Sequence, residues 1–146
     1  TSFTSLRGDD DSQSLPTVFA LNSVTGARLY TRSLGEIRMP PVLANNGVFV
    51  ATHHATLFKL DPNTGATSWQ ANFTATSYTR NGPVVDAPIN MVYVVDTSGR
   101  LVGFRDVCTI TVQLWATALG GAKVSSAPTI HSPTHKVYVG SSADRA

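Results

Sequence analysis

The chain has 146 residues, which is long enough for one domain with a buried core, and its apolar runs are too short to span a membrane. Charged residues make up 14 % of it, below the roughly 25 % of typical soluble domains. The formal net charge is +2 and the 11 basic residues are scattered singly, which argues against nucleic acid as a partner.

Residues 1–16 are polar and are predicted to form a strand end followed by a loop. Arg7-Gly8-Asp9 is too short a match to indicate adhesion, and no calcium-loop spacing follows the acidic residues Asp9–Asp11. Both are interpreted as parts of a solvated loop. Because the chain begins with Thr1 and shows no signal peptide, we expect a fragment or a processed product.

The sequence predicts two copies of a β-hairpin, in which a tight turn joins two strands. The first copy has the turn Asn22–Gly26 followed by Tyr30, and the second has Asp61–Gly65 followed by Trp69. The Asp or Asn side chain can bond backbone amides, and Gly adopts the left-handed conformation at the exit of the turn. A third copy keeps Trp115 but has no glycine at its turn, Arg105–Thr109.

A second kind of strand pair lies between these hairpins. Pro41, Pro83 and Pro128 each precede a short apolar strand, and the partner strands begin at Val48, Val92 and Val137. These starts lie 44 and 45 residues apart, a period typical of propeller blades or solenoid repeats. The runs of apolar residues at Val48 and Val92 do not alternate with polar ones, which indicates strands covered on both faces.

The pattern predicts an all-β fold, a partial β-propeller of about three blades, each blade a sheet of four antiparallel strands. The whole chain, 1–146, is predicted to be one domain. Its parts are the strand end and loop at 1–16, the last two strands of a blade at 17–38, whole blades at 39–82 and 83–126, and the first two strands of a blade at 127–146.

These turns resemble the blade repeat of the PQQ-like, quinoprotein-type β-propellers, whose motif is Ala-x-Asp-x-x-Thr-Gly-x-x-x-Trp. Asp61, Thr64, Gly65 and Trp69 match it, with Lys59 in place of Ala. The first copy keeps Ala20, Thr25 and Gly26 but has Asn22 for Asp and Tyr30 for Trp. The resemblance implies that the aromatic residues and turn glycines dock neighbouring blades: Gly26, Tyr30, Gly65, Trp69 and Trp115.

The resemblance implies two classes of function. Some members are dehydrogenases that hold PQQ and calcium, with adjacent cysteines, a catalytic Asp and a metal-binding Glu, whereas others are scaffolds without a cofactor. This chain has one cysteine, Cys108, and one glutamate, Glu36, so that combination of residues is absent from it. We therefore expect a non-catalytic, extracytoplasmic scaffold for protein interactions, with no catalytic, cofactor or metal residues. The alternative is a fragment of a PQQ-dependent dehydrogenase whose active site lies in missing blades.

Isolated polar residues give weaker signals. Cys108 is interpreted as a half-buried small apolar residue, and Asn72 begins a glycosylation sequon. Asp86 and Asp96 fall near inner strands, where turn caps or solvated acids are expected. The histidines provide too few ligands for a zinc site; they are His53, His54, His131 and His135.

Three blades cannot close a ring, because propellers typically have four to eight. The open faces of the terminal blades would expose apolar surface. We therefore expect the partners to be the remaining blades of a longer chain or a second copy of this one.

Overall fold

The computed structural model describes residues 17–73, 79, 81–120, 124 and 126–141. These residues form twelve β-strands and two single 3-10 turns, Ala87–Ile89 and Ser132–Thr134, and contain no α-helix. The strands are β1 (Thr17–Leu21), β2 (Arg28–Ser33), β3 (Val42–Ala44), β4 (Gly47–Ala51), β5 (Thr56–Leu60), β6 (Thr67–Asn72), β7 (Val84–Asp86), β8 (Met91–Val95), β9 (Arg100–Val107), β10 (Ile110–Ala118), β11 (Thr129–His131) and β12 (Lys136–Tyr138).

Consecutive strands pair in antiparallel fashion within four sheets. Two sheets have four strands each, in the orders β3-β4-β5-β6 and β7-β8-β9-β10. A two-stranded sheet, β1-β2, precedes them in the chain, and another, β11-β12, follows. The all-β class and the four-stranded antiparallel sheets predicted from the sequence are confirmed.

Three apolar clusters each lie between two consecutive sheets. The largest joins the two four-stranded sheets and contains Phe49, Leu57, Trp69, Val92 and Phe104. A second cluster lies between the second four-stranded sheet and β11-β12, and a third lies between β1-β2 and the first four-stranded sheet. All five residues of β8 are buried, because sheets cover both of its faces, as its uninterrupted apolar sequence predicted.

The turns between β1 and β2 and between β5 and β6 have the same geometry. The Asp61 carboxylate accepts hydrogen bonds from the amides of Asn63 and Thr64 at 2.9 and 2.8 Å. The Asn22 side-chain oxygen accepts the two corresponding bonds at 2.9 Å. Gly26 and Gly65 both have φ +71°, where a side chain would be strained. Asn replaces Asp here because only a side-chain oxygen acceptor is needed.

The turn between β9 and β10 departs from this pattern. Cys108 takes the left-handed conformation, with φ +53°, in a turn without glycine. The two flanking strands are longer than their counterparts, at eight and nine residues. Cys108 is exposed, so the expectation that it would be half-buried is wrong: it lies at the tip of a hairpin that extends beyond the covered part of the sheet.

Left-handed residues also lie in the turns between β3 and β4, between β7 and β8, and between β11 and β12. They are Asn45, Asn90 and His135, with φ values of 45°, 55° and 53°. Asn and His tolerate this conformation better than branched residues do. The Asn45 amide donates a hydrogen bond to the Asn90 side-chain oxygen at 3.1 Å, so these turns also connect neighbouring sheets. Across the described part of the chain, no helix is long and apolar enough to span a membrane.

Candidate functional site between the sheets

Tyr30 of β2 lies against Gly65 in the turn of the next sheet. A Cβ atom at Gly65 would come within 2.5 and 2.6 Å of two Tyr30 ring carbons and within 2.9 Å of Arg32 Cγ. Such distances are below van der Waals contact, so only glycine fits beneath the ring. Arg32 also donates a hydrogen bond to Thr67 Oγ1 at 3.2 Å. The outer strands of the two sheets therefore meet at this aromatic residue.

Trp69 of β6 occupies the corresponding place in the first four-stranded sheet and contacts Asp106 of β9. Its indole Nε1 donates a hydrogen bond to Asp106 Oδ1 at 2.9 Å. Lys59, opposite Trp69 on β5, places Nζ 2.7 Å from Asp106 Oδ2. The third hairpin lacks the turn glycine and makes a different contact with the preceding sheet. Its Asp106 carboxylate accepts hydrogen bonds from the Trp69 indole and the Lys59 ammonium group.

The ion pair between Lys59 and Asp106 is buried, with side-chain exposures of 7 % and 3 %. The Lys59 stem passes over Gly47, where any Cβ would overlap it. Its Nζ also lies 5.7 Å from the centre of the Phe49 ring, in range of a cation–π interaction. Burying two charges is costly unless they are paired and hydrogen-bonded, and here each carboxylate oxygen has a donor.

Trp115 of β10 lies over Gly103 of its own sheet. A Cβ at Gly103 would approach Trp115 Cε2 to 2.6 Å, and the Tyr93 and Trp115 ring centres are 5.8 Å apart. Trp115 remains 37 % exposed, whereas Trp69 is 6 % exposed. Among the described residues nothing comes within 4 Å of a Cβ built at Gly26. Five residues were predicted to dock neighbouring sheets. Of these, Trp115 and Gly26 have no contact residue from a neighbouring sheet among the described residues.

A second polar contact joins the second four-stranded sheet to β11-β12. His135 Nδ1 lies 2.9 Å from Asp86 Oδ2, and Asp86 is fully buried. Its other oxygen, Oδ1, has no hydrogen-bond partner in the described residues. Burial raises the pKa of the Tyr93 phenol, and the charge of Asp86 raises it further. Asp86 is neither a turn cap nor solvated, so that expectation is wrong: packing of the next sheet buries the carboxylate and supplies His135 as its partner.

The other candidate residues do not converge. Asp96 caps a turn, because its Oδ1 accepts bonds from the amides of Ser98 and Arg100 at 2.9 Å. His53 is buried with Nδ1 3.2 Å from the Thr79 carbonyl oxygen. In the described ranges no three His, Cys, Asp or Glu side chains gather as a metal site would require. Residues 1–16, with the Arg-Gly-Asp and acidic motifs, lie outside these ranges, as does Thr74 of the Asn72 sequon.

The sequence did not predict either of the two polar contacts between sheets, Lys59–Asp106 and Asp86–His135. The available signal for the first was Lys59, which stands where the motif has Ala, together with Asp106 in the one turn that lacks glycine. Asp86 and His135 each stand out as polar residues near strand ends, but no pattern in the sequence pairs residues 49 positions apart.

Comparison with known families gives a match over residues 16–146 to the family described as outer membrane protein assembly factor BamB. The chain belongs to this PQQ-like β-propeller family. The resemblance predicted from the turn motif is therefore confirmed. A search of curated proteins returned no match.

Three solved structures are similar to this chain in fold, and each is longer than the chain. BamB from Moraxella catarrhalis superposes with a TM-score of 0.70 at 24 % identity, covering 88 % of this chain and 38 % of that one. A europium-containing methanol dehydrogenase gives 0.59 at 19 % identity, covering 69 % and 21 %. A chain of the mitotic checkpoint complex gives 0.71 at 9 %, covering 86 % and 40 %. At these identities the likeness is one of fold, and the chain spans less than half of each neighbour.

Proposed function

We propose that this chain is part of a non-catalytic PQQ-like propeller that acts outside the cytoplasm as a scaffold for protein interactions. The observation that carries the proposal is the match of residues 16–146 to a family described as an outer membrane assembly factor. By this proposal the protein contributes to outer membrane protein assembly by holding a partner, and its own side chains perform no chemistry.

The hydrogen bonds made by three described carboxylates support a structural role. Asp61 and Asp96 bond backbone amides of their own turns, and Asp106 bonds Lys59 and Trp69 of the neighbouring sheet. These carboxylates are committed to holding turns and sheets together, whereas a catalytic acid or base needs a position within reach of a substrate proton.

The experiment is a deletion of the full-length gene in its host, followed by measurement of outer membrane protein levels and complementation with the tagged protein. We expect reduced levels that the tagged protein restores, and we expect the tagged protein in the extracytoplasmic fraction. Unchanged levels, or a cytoplasmic protein, would contradict the proposal.

The dehydrogenase alternative is tested on the full-length purified protein. PQQ and calcium are added together, and binding is followed by absorbance and by quenching of tryptophan fluorescence. We expect neither saturable quenching nor a retained chromophore after desalting. Stoichiometric retention of PQQ, with turnover of an alcohol by an artificial electron acceptor, would overturn the scaffold proposal.

A further inference from the structure

Two successive junctions between sheets carry a polar contact at the same place, beside the turn that joins the first strand of a sheet to the second. At the junction of the two four-stranded sheets, the Asn45 amide donates a hydrogen bond to the Asn90 side-chain oxygen at 3.1 Å. At the next junction, His135 Nδ1 lies 2.9 Å from Asp86 Oδ2. Asn90 and His135 correspond, because each ends its turn in the left-handed conformation, at φ 55° and 53°. One junction therefore has a neutral pair where the other has an ionisable pair.

The fold buries the carboxylate of the ionisable pair. The Asp86 side chain is fully buried, and its Oδ1 atom has no hydrogen-bond partner among the described residues. Directly opposite on β8 lies Met91, which belongs to the apolar cluster between the second four-stranded sheet and β11-β12. A carboxylate in such surroundings is costly unless its charge is compensated. The charge on its partner, His135, therefore matters to the stability of this junction.

The other ionisable residues of β8 and β9 do not compensate the Asp86 charge. Tyr93 packs in the same cluster. Burial and the Asp86 charge both raise the pKa of its phenol above the ordinary value of 10.0, so the phenol stays neutral. Arg105 of β9 lies opposite Met91, two strands from β7, which places its backbone about 10 Å from that of Asp86. Arg105 is exposed to solvent.

The ionisable residues within β11 and β12 point away from the carboxylate. Val137 packs in the cluster between the sheets, so its neighbours Lys136 and Tyr138 point to the opposite face of β12. His131 pairs with Lys136 and therefore shares that face. Among the described residues of this hairpin, His135 is thus the titratable group that meets the carboxylate.

The net charge of the pair changes when a proton leaves it. With both ring nitrogens protonated, His135 is a cation, and the pair that it forms with Asp86 is neutral overall. When Nε2 loses its proton, Nδ1–H still donates to Oδ2, but the buried carboxylate keeps a negative charge that no described residue balances. In the unfolded chain both groups are in water, where an unbalanced charge has no such cost. Folding therefore favours the form of the pair that holds the proton.

We propose that the Asp86–His135 pair makes the junction between the second four-stranded sheet and β11-β12 sensitive to pH. The junction is tight while the pair holds the proton and loosens when the proton leaves. This stabilisation is complete in mildly acid solution and is lost as pH rises from about 5 to about 8, the range in which imidazoles ordinarily titrate. The contact between Asn45 and Asn90 has no such dependence, because amides do not titrate. The inference goes beyond the scaffold proposal, since it concerns two sheets of the propeller and no partner.

The test measures amide hydrogen exchange of the full-length protein by mass spectrometry, from about pH 5.5 to about pH 8. Rates are corrected for the intrinsic exchange rate at each pH, so that they report local opening. We expect the protection of peptides that cover residues 129–138 to fall at least about threefold over this range as the junction loosens. Protection that stays constant across the range would overturn the proposal.

The double variant Asp86→Asn with His135→Asn copies the neutral pair of the other junction. Asn90 already holds the left-handed conformation at the corresponding place, so Asn fits at position 135. We expect the protection of residues 129–138 in this variant to vary much less with pH than in the wild type. His131→Asn is the matched control, because it removes a histidine from the opposite face of the same hairpin, and it should keep the dependence of the wild type.

The single variant His135→Asn gives the same comparison without a substitution at the buried position. Asp86 then has a neutral partner at every pH, so protection should stay near the value that the wild type reaches at about pH 8. A fall with pH in either variant that lacks His135, equal to that of the wild type, would overturn the proposal. So would loss of the dependence in His131→Asn, because each of these results would assign the effect to another group.

Discussion

Asp106 accepts bonds from two residues of the preceding sheet, Lys59 and Trp69. Replacing it as Asp106→Asn keeps an oxygen for the indole but removes the charge that neutralises Lys59. Because removing one partner leaves a buried charge unpaired, we expect the free energy of unfolding to fall by about 3–5 kcal/mol. Urea denaturation followed by tryptophan fluorescence measures this loss.

The double variant Lys59→Met with Asp106→Asn is the control for that prediction. It removes both charges while keeping an unbranched side chain only one atom shorter than that of Lys59, so it should be more stable than Asp106→Asn alone. If the two substitutions were merely additive, the ion pair would not couple these residues in the folded protein.

Asp61 provides a prediction for the dependence of stability on pH. Hydrogen bonds from the amides of Thr64 and Asn63 and from the Thr64 hydroxyl lower the pKa of its carboxyl below the ordinary value of 3.8. The charged form is favoured in the folded state, so its contribution is present above the unfolded pKa and is lost as pH falls through the folded pKa. Asp61→Asn should therefore lose less stability than the wild type on acidification below about pH 4.

The comparison uses urea midpoints measured between neutral and acidic pH for both proteins. Asn22 already makes the same amide bonds in the first turn without a charge, so Asp61→Asn should keep the turn intact. Parallel losses of stability in the two proteins would show that the Asp61 charge does not act in this turn.

These single-residue contacts were only partly predictable. The turn motif predicted Gly65 and Trp69 as contact residues, because the spacing that defines the motif lies within one hairpin. The structure places both residues at contacts between sheets. The Lys59–Asp106 pair is separated by 47 positions in the sequence and the Asp86–His135 pair by 49. Such pairs depend on how sheets pack, which local periodicity does not encode.

At the scale of an element, the turn between β5 and β6 joins two sheets through Gly65. Gly65→Ala would strain a left-handed position and place a methyl group against the Tyr30 ring. Overpacking of this kind costs about 1–3 kcal/mol, in addition to about 1 kcal/mol for the backbone. We expect a lower urea midpoint, with unchanged far-UV circular dichroism in the absence of urea.

The same substitution in a Tyr30→Ala background separates the two causes. Without the ring, only the backbone strain should remain, so Gly65→Ala should cost less there. An equal cost in both backgrounds would mean that Tyr30 yields freely to a side chain at Gly65.

The strands themselves were largely predictable, because proline, apolar runs and turn residues recur with one period. The third hairpin was less predictable. Two added residues lengthen β9 and β10, and Cys108 supplies a left-handed conformation that sequence rules assign to Gly or Asn. Its exposure follows from that extension.

For the molecule as a whole, burial predicts which sheets resist opening. All five residues of β8 are buried, whereas β12 has none buried. Because local opening is easiest where few apolar contacts form, we expect amide hydrogens of β8 to exchange more slowly than those of β12. Mass-spectrometric exchange on peptic peptides measures this order, and equal protection in β8 and β12 would contradict it.

The row of apolar clusters, each between two consecutive sheets, bears on how such a protein changes its size in evolution. Duplicating one 45-residue unit in the gene would add a sheet that carries its own aromatic residue and its own turn. Its neighbours would meet surfaces like those they already contact. Gain or loss of a unit would therefore alter the circumference of the ring while leaving every remaining junction intact.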